Sequence, residues 1–124
     1  MAATQAEGQT IMLYYELPVY KDTYQLLRLI YEVAGKFPRE HKFDLGQNMK
    51  RDALLLCQSL YKANKTLNRR KLLEEFLDDF ELVKTEVKLG GDLRLISLKK
   101  MAEIAGLSDK IGRQVTAWRK KCVS

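Results

Sequence analysis

From Leu72 to Val87 the apolar residues Leu72, Phe76, Phe80, Val83 and Val87 recur in steps of four, four, three and four, with Leu73 and Leu77 widening the stripe. That spacing gives an α-helix one continuous apolar face and gives a strand no consistent side to bury. The opening turns carry Glu74, Glu75, Asp78 and Asp79, and the earliest of these complement the positive N-terminus of such a helix. A helix of this kind cannot bury its stripe alone, so the rest of the chain has to supply partners.

Three other segments do so. Pro18 suits a first helical turn, and Val19, Leu26, Ile30 and Val33 follow with Tyr20, Tyr24, Leu27 and Tyr31 on an adjacent stripe, predicting a helix to about Lys36. Gly35 and Phe37-Pro38 then stop it, and a connection to about Phe43 is expected. Asp44 is the expected N-cap of a second helix carrying Leu45, Met49, Ala53, Leu56 and Leu60 to about Asn64, and Asn68 is the expected cap of the third. Gly90-Gly91 either ends the third helix or lies inside it, with Asp92-Leu93 completing the last turn. Ser97 is the expected cap of the fourth, where Met101, Ile104, Ser108, Ile111, Val115, Trp118 and Cys122 alternate steps of three and four.

Four amphipathic segments with short connections and no convincing strand alternation predict an all-α, antiparallel four-helix bundle. Residues 1–16 are expected to form a flexible lead, with Ile11–Tyr15 a short turn on the domain, and residues 17–124 the bundle. A single domain fits 124 residues, 46% hydrophobic and 31% charged, with seven glycines and two prolines. The first helix is apolar around more of its circumference than one seam needs, which points to a subunit interface. No apolar run approaches a bilayer span, and no charged leader with a cleavage site is visible; a cytoplasmic, reducing environment and no membrane partner are expected. Cys57, inside an apolar run, is expected to behave as a small hydrophobe, and no disulfide framework is indicated by Cys57 and Cys122.

The sequence holds no recognisable set of enzyme residues. Glu74/Asp78 and Glu75/Asp79 are carboxylate pairs at helical spacing, but they flank Phe76, Leu77 and Phe80 instead of replacing them, which describes a solvated acidic face and no metal site. The single histidine, His41, sits among Arg39, Glu40 and Lys42 in a connection. Gly90-Gly91 lacks the lysine and hydroxyl residue of a phosphate loop. No catalytic residue, metal or cofactor is expected.

What stands out is where the charge lies. The formal net charge is +6, yet residues 62–71 hold five cations (Lys62, Lys65, Arg69, Arg70, Lys71) and no acid, and residues 97–124 hold seven against two acids. The remainder is acidic, with ten cations against fourteen carboxylates. Segregated basicity is what phosphate contacts need, so nucleic acid, RNA or DNA, is the expected partner. Lys62, Lys65, Arg69 and Arg70 are contact candidates on this ground. Tyr20, Tyr24 and Tyr31 share helical spacing and are expected to fill packing interfaces, and Trp118 the bundle seam.

The chain also resembles a known family. Leu17-Pro18-Val19-Tyr20, Lys36-Phe37-Pro38, Phe43-Asp44-Leu45-Gly46, the run Leu89-Gly90-Gly91-Asp92-Leu93-Arg94-Leu95-Ile96-Ser97, and Ile111-Gly112-Arg113 with Trp118 downstream are together similar to the accessory variability determinant (Avd) proteins of diversity-generating retroelements. It departs from them at Thr116-Ala117-Trp118, where Gly-Gly-Trp is usual, and at Lys88, where arginine is common. The Phe-Pro and Leu-Gly pattern is shared with four-helix proteins of ribosomal-RNA intervening sequences, whose Asn-Ile-Ala-Glu-Gly-like stretch is replaced here by Ser59-Leu60-Tyr61-Lys62-Ala63-Asn64. A structural protein of that type, with no specific nucleic-acid role, is the alternative.

The Avd resemblance implies a homopentameric barrel of four-helix protomers, a basic surface that binds DNA or RNA, and association with the retroelement's reverse transcriptase in mutagenic reverse transcription and retrohoming. It implies no catalysis by the accessory protein itself. By position it makes Lys84 and Lys88, an i, i+4 pair, together with Arg94 and Arg113, the contact candidates that the family supplies.

Overall fold

A computed structural model describes residues 4–6, 9–11 and 13–122, with side chains from residue 13 onward. Four long helices carry the fold: α1 (Pro18–Gly35), α2 (Gln47–Lys65), α3 (Arg69–Asp92) and α4 (Leu98–Lys121). Each packs on its neighbour in the order α1, α2, α3, α4 and back to α1, giving a closed four-helix bundle. The pairing is antiparallel: Arg119 at the end of α4 reaches Glu74 at the start of α3 (3.8 Å), while Ile96, just before α4, packs against Gly90 near the end of α3.

The core follows the stripes. Leu26, Ile30, Met49, Leu56, Leu60, Leu73, Phe76, Phe80, Val83, Ile111 and Val115 are the largest apolar side chains fully withdrawn from solvent. On α3 the seam opens with Leu73 instead of Leu72, which is only partly buried. On α4 the expected seam holds, with Ile104, Ile111 and Val115 buried and Met101, Trp118 and Cys122 packed at its margin. Cys57 lies inside, and burial pushes its thiol up to about 11, so it acts as a small apolar group.

At the helix starts three details differ from what the sequence predicts. Residues 39–46 are not an irregular connection: Pro38 accepts from the N–H groups of both His41 and Lys42 (2.9 Å each), starting a helical turn at Arg39–His41 that runs through a π-helical turn, Lys42–Gly46, directly into α2. Asp44 therefore sits inside helical backbone and is no N-cap; its carboxylate takes the N–H of Leu45. Asn68 occupies the N-cap of α3 without a side-chain cap bond, and its backbone N–H donates to Thr66 Oγ1 (3.3 Å) in the turn that leads into the helix.

In the lead, Thr4–Ala6 (β1) pairs antiparallel with Gln9–Ile11 (β2), Thr4 opposite Ile11. Three-residue strands are too short to show alternation, so this ladder has no readable signature. A 3₁₀ turn, Tyr14–Glu16, then leads to α1. The expectation of flexibility for residues 1–3, 7–8 and 12 falls outside the described residues.

The α3–α4 connection is closely determined. Gly90 and Gly91 lie within α3, and a Cβ at Gly90 would stand 2.8 Å from Ile96 Cδ1. The helix ends in a Schellman motif, with Arg94 N–H donating to Gly91 O (2.9 Å) and Leu95 N–H to Gly90 O (2.8 Å). Ser97 then caps α4, its Oγ accepting from Lys100 N–H (3.2 Å), as expected.

Candidate nucleic-acid interface

Between α3 and α4 runs an open groove of about 770 Å³. Its floor is apolar and small, with Phe80, Leu77, Ala105, Ser108, Gly112 and Ala117, and its rims are charged, with Glu81 and Lys84 on α3 and Asp109, Arg113 and Lys120 on α4. A smaller hollow of about 190 Å³ continues it past Lys84 to Lys88, Met101 and Ile104. The fold thus sets Lys84, Lys88 and Arg113 along one face. Lys120, seven residues beyond Arg113 on α4, joins them. Lys120 belongs to the basic stretch of residues 97–124 read from the sequence, and its spacing of two helical turns from Arg113 places both residues on one side of the helix.

Three of these cations, Lys84, Lys88 and Arg113, are held by acids on their own helices. Lys84 Nζ lies 2.6 Å from Glu81 and 4.9 Å from the centre of the Phe80 ring; Lys88 Nζ lies 3.1 Å from Asp92; Arg113 pairs with Asp109. These are exposed pairs, each worth roughly 0–1 kcal/mol, so a stronger anion can displace the carboxylate. Gly112 keeps the floor low, its added Cβ meeting only Phe80 at 3.8 Å.

Arg94 stands apart, at the end of α3. It is the one non-glycine residue with positive φ (62°) among those described, at the position of the helix end where glycine is usual. The left-handed conformation costs a residue with a Cβ about 1–2 kcal/mol. We expect Arg94→Gly to be more stable than Arg94→Ala by about 1 kcal/mol in thermal unfolding, since both remove the guanidinium and only glycine removes the strain. Equal stability would mean that the backbone strain is relieved in another way.

The charge-placed candidates gather at the opposite end of the bundle, about 36 Å away along a 24-residue α3. Lys62, Lys65, Arg69 and Arg70 lie at the same end of the bundle as Lys120 and Lys121, where α2 ends, α3 begins and α4 ends. Arg69 is partly committed to the fold, donating to Thr66 O (3.1 Å) and Asn64 O (3.3 Å). Arg70 pairs with Glu74 at 3.5 Å. Lys65 donates to Tyr61 Oη (3.2 Å) and lies 4.5 Å from the centre of its ring. Lys62 and Lys65 have no carboxylate partner among the described residues. Tyr20 is packed, whereas Tyr24 and Tyr31 are about half exposed, against the expectation that all three are packed.

Elsewhere, Lys100 ties α4 to Glu32 of α1 (3.0 Å) and to Glu103 (3.1 Å), which raises its ammonium pKa and lowers that of Glu32. Among the described residues no three His, Cys, Asp or Glu side chains are grouped to hold a metal ion, and no helix is long and apolar enough to cross a membrane.

A family model described as bAvd-like matches residues 18–122, which is nearly the whole bundle. The chain belongs to the bAvd-like family. No curated protein matches it. The bAvd-like match spans both the groove of α3 and α4 and the basic end of the bundle, so all eight candidate cations lie within it.

Proposed function

We propose that this bAvd-like protein is a non-catalytic accessory subunit of a diversity-generating retroelement. It binds RNA or DNA through phosphate contacts, docks on the reverse transcriptase, and works as a homo-oligomer, a pentamer by family resemblance, in mutagenic reverse transcription and retrohoming. The observation that carries the nucleic-acid part is the shared face of Lys84, Lys88, Arg113 and Lys120 along an open groove. A helix pair with cations on both rims offers charge to a backbone without offering a recognition helix to a base, so readout of sequence is not part of this function.

The test is affinity for a fluorescent RNA, and for DNA of the same sequence, across a salt series. Wild type is compared with the variant carrying Lys84→Ala, Lys88→Ala, Arg94→Ala and Arg113→Ala. Removing one cation from a phosphate lowers the log–log salt slope by roughly 0.7–0.9, so a still-folded variant is expected to show a slope smaller by up to about three and an affinity at least tenfold weaker. No binding of wild type at low salt would overturn the nucleic-acid reading and leave protein docking alone. Light scattering tests the assembly: a stable 14.4 kDa particle would overturn the oligomer.

A further inference from the structure

The basic end of the bundle holds a second concavity, of about 600 Å³, between the 3₁₀ turn, α1 and α2. Tyr14, Tyr20, Tyr61, Leu54, Leu55 and Gln58 line it. We propose that this cleft takes an unpaired nucleobase of a single-stranded RNA or DNA while Lys62 and Lys65 hold the adjoining phosphates. The proposal rests on the nucleic-acid reading above and names the form of nucleic acid this end accepts.

Its chemistry is that of a stacking platform. Tyr14 makes edge-to-face contacts with Tyr15 (5.2 Å between centres), Tyr20 (5.1 Å) and Tyr61 (4.9 Å), so four rings are held by one another. Tyr15 and Tyr61 nonetheless remain 52% and 39% exposed, an open aromatic surface beside a cleft of ligand size. Gln58 brings one amide donor pair and one acceptor, suited to a base edge.

Charge selects the occupant. Leu54, Gln58, Tyr61, Lys62 and Lys65 stand at helical spacing along α2, on one face, so the two lysines continue the line of the cleft lining. Lys84, Lys88 and Arg113 along the α3–α4 groove each pair with an acid of their own helix, whereas Lys62 and Lys65, like Lys120, have no carboxylate partner among the described residues. Glu16 is the acid of the adjoining turn. Unneutralised ammonium groups beside exposed rings complement a strand that presents both phosphates and bare bases. A duplex, whose bases are stacked away, uses only the charge.

The experiment compares three probes of one length: a single-stranded RNA, its duplex, and an abasic strand with the same phosphates. Wild type is expected to prefer the single strand to the abasic strand by about tenfold. Tyr61→Leu is expected to remove that preference with the salt slope unchanged, and Tyr61→Phe to keep it. Lys62→Ala with Lys65→Ala is expected to lower the slope on every probe. Equal wild-type affinity for the based and abasic strands overturns the base cleft and leaves phosphate binding standing; no affinity for any probe overturns phosphate binding itself. A change of assembly mass in Tyr61→Leu would assign the cleft to a second copy of the chain and overturn the proposal too. Far-ultraviolet circular dichroism establishes that each variant is folded.

Discussion

Raising the pH from 5 to 9 is expected to weaken this fold by about 3 kcal/mol, and Glu86→Gln is expected to remove most of that dependence. Glu86 of α3 and Asp52 of α2 are buried together, at 9% and 8% exposure, where their helices meet. Glu86 Oε1 and Asp52 Oδ2 are each shut off from solvent with no donor among the described residues to satisfy them. Two carboxylates offer acceptors only, so a single proton held between them supplies the missing donor. Burial first, then the hydrogen bond and charge of Asp52, push the Glu86 carboxyl up to about 8, and Arg51, which reaches Asp52 at 3.2 Å, opposes this only in part.

The sign follows from the raised value. An unfolded glutamate releases its proton near pH 4.5, so the stability carried by the proton is complete below that point and is lost as pH rises through about 8. Asp79 adds in the same direction, its carboxyl raised by burial and by Glu75, Asp78 and Asp52. Glutamine in place of Glu86 donates an N–H to Asp52 at every pH. Urea unfolding followed by Trp118 fluorescence at pH 5, 7 and 9 measures the effect. A wild-type stability flat across that range would show that no proton is shared.

The pair is legible in principle. Met49, Asp52 and Leu56 are separated by steps of three and four, as are Val83, Glu86 and Gly90, so each acid occupies a core position of its helix. Reading the stripes for apolar residues alone passes over them, and only the packing of α2 on α3 brings the two together. The bundle itself needs no such contact, because Phe76, Phe80, Val83 and Val87 already select one face. The helical turns at residues 39–46 are hidden for a local reason: Phe37-Pro38 terminates α1, yet the same proline is well placed to start the next turn. The candidate cations divide similarly. Charge counting finds Lys62 and Lys65 and the family motifs find Lys84, Lys88 and Arg113, but neither shows that the two sets sit at different places on the bundle. Tyr14 and Tyr61 are forty-seven residues apart and meet only because α1 begins where α2 ends.

Phe80→Ala is expected to cost about 3–5 kcal/mol, a larger effect than that of any other single substitution proposed for this chain. Phe80 is fully buried, lies 5.7 Å from Phe76 between ring centres, and closes the floor of the α3–α4 groove under Gly112 and Lys84. Truncation empties that space, and the ring beneath the Lys84 ammonium goes with it. The loss is a large share of the roughly 5–15 kcal/mol typical of a domain, so the variant is expected to unfold at much lower urea with an unchanged slope. Leu67→Ala, at a fully exposed side chain in the α2–α3 turn, is the control and is expected to change stability by no more than about 0.5 kcal/mol. Phe80→Leu separates the two roles of the ring. It restores most of the packing but gives Lys84 no aromatic face, so recovery of stability without recovery of RNA affinity would assign the ring to positioning the rim cation, and recovery of both would assign it to the core alone.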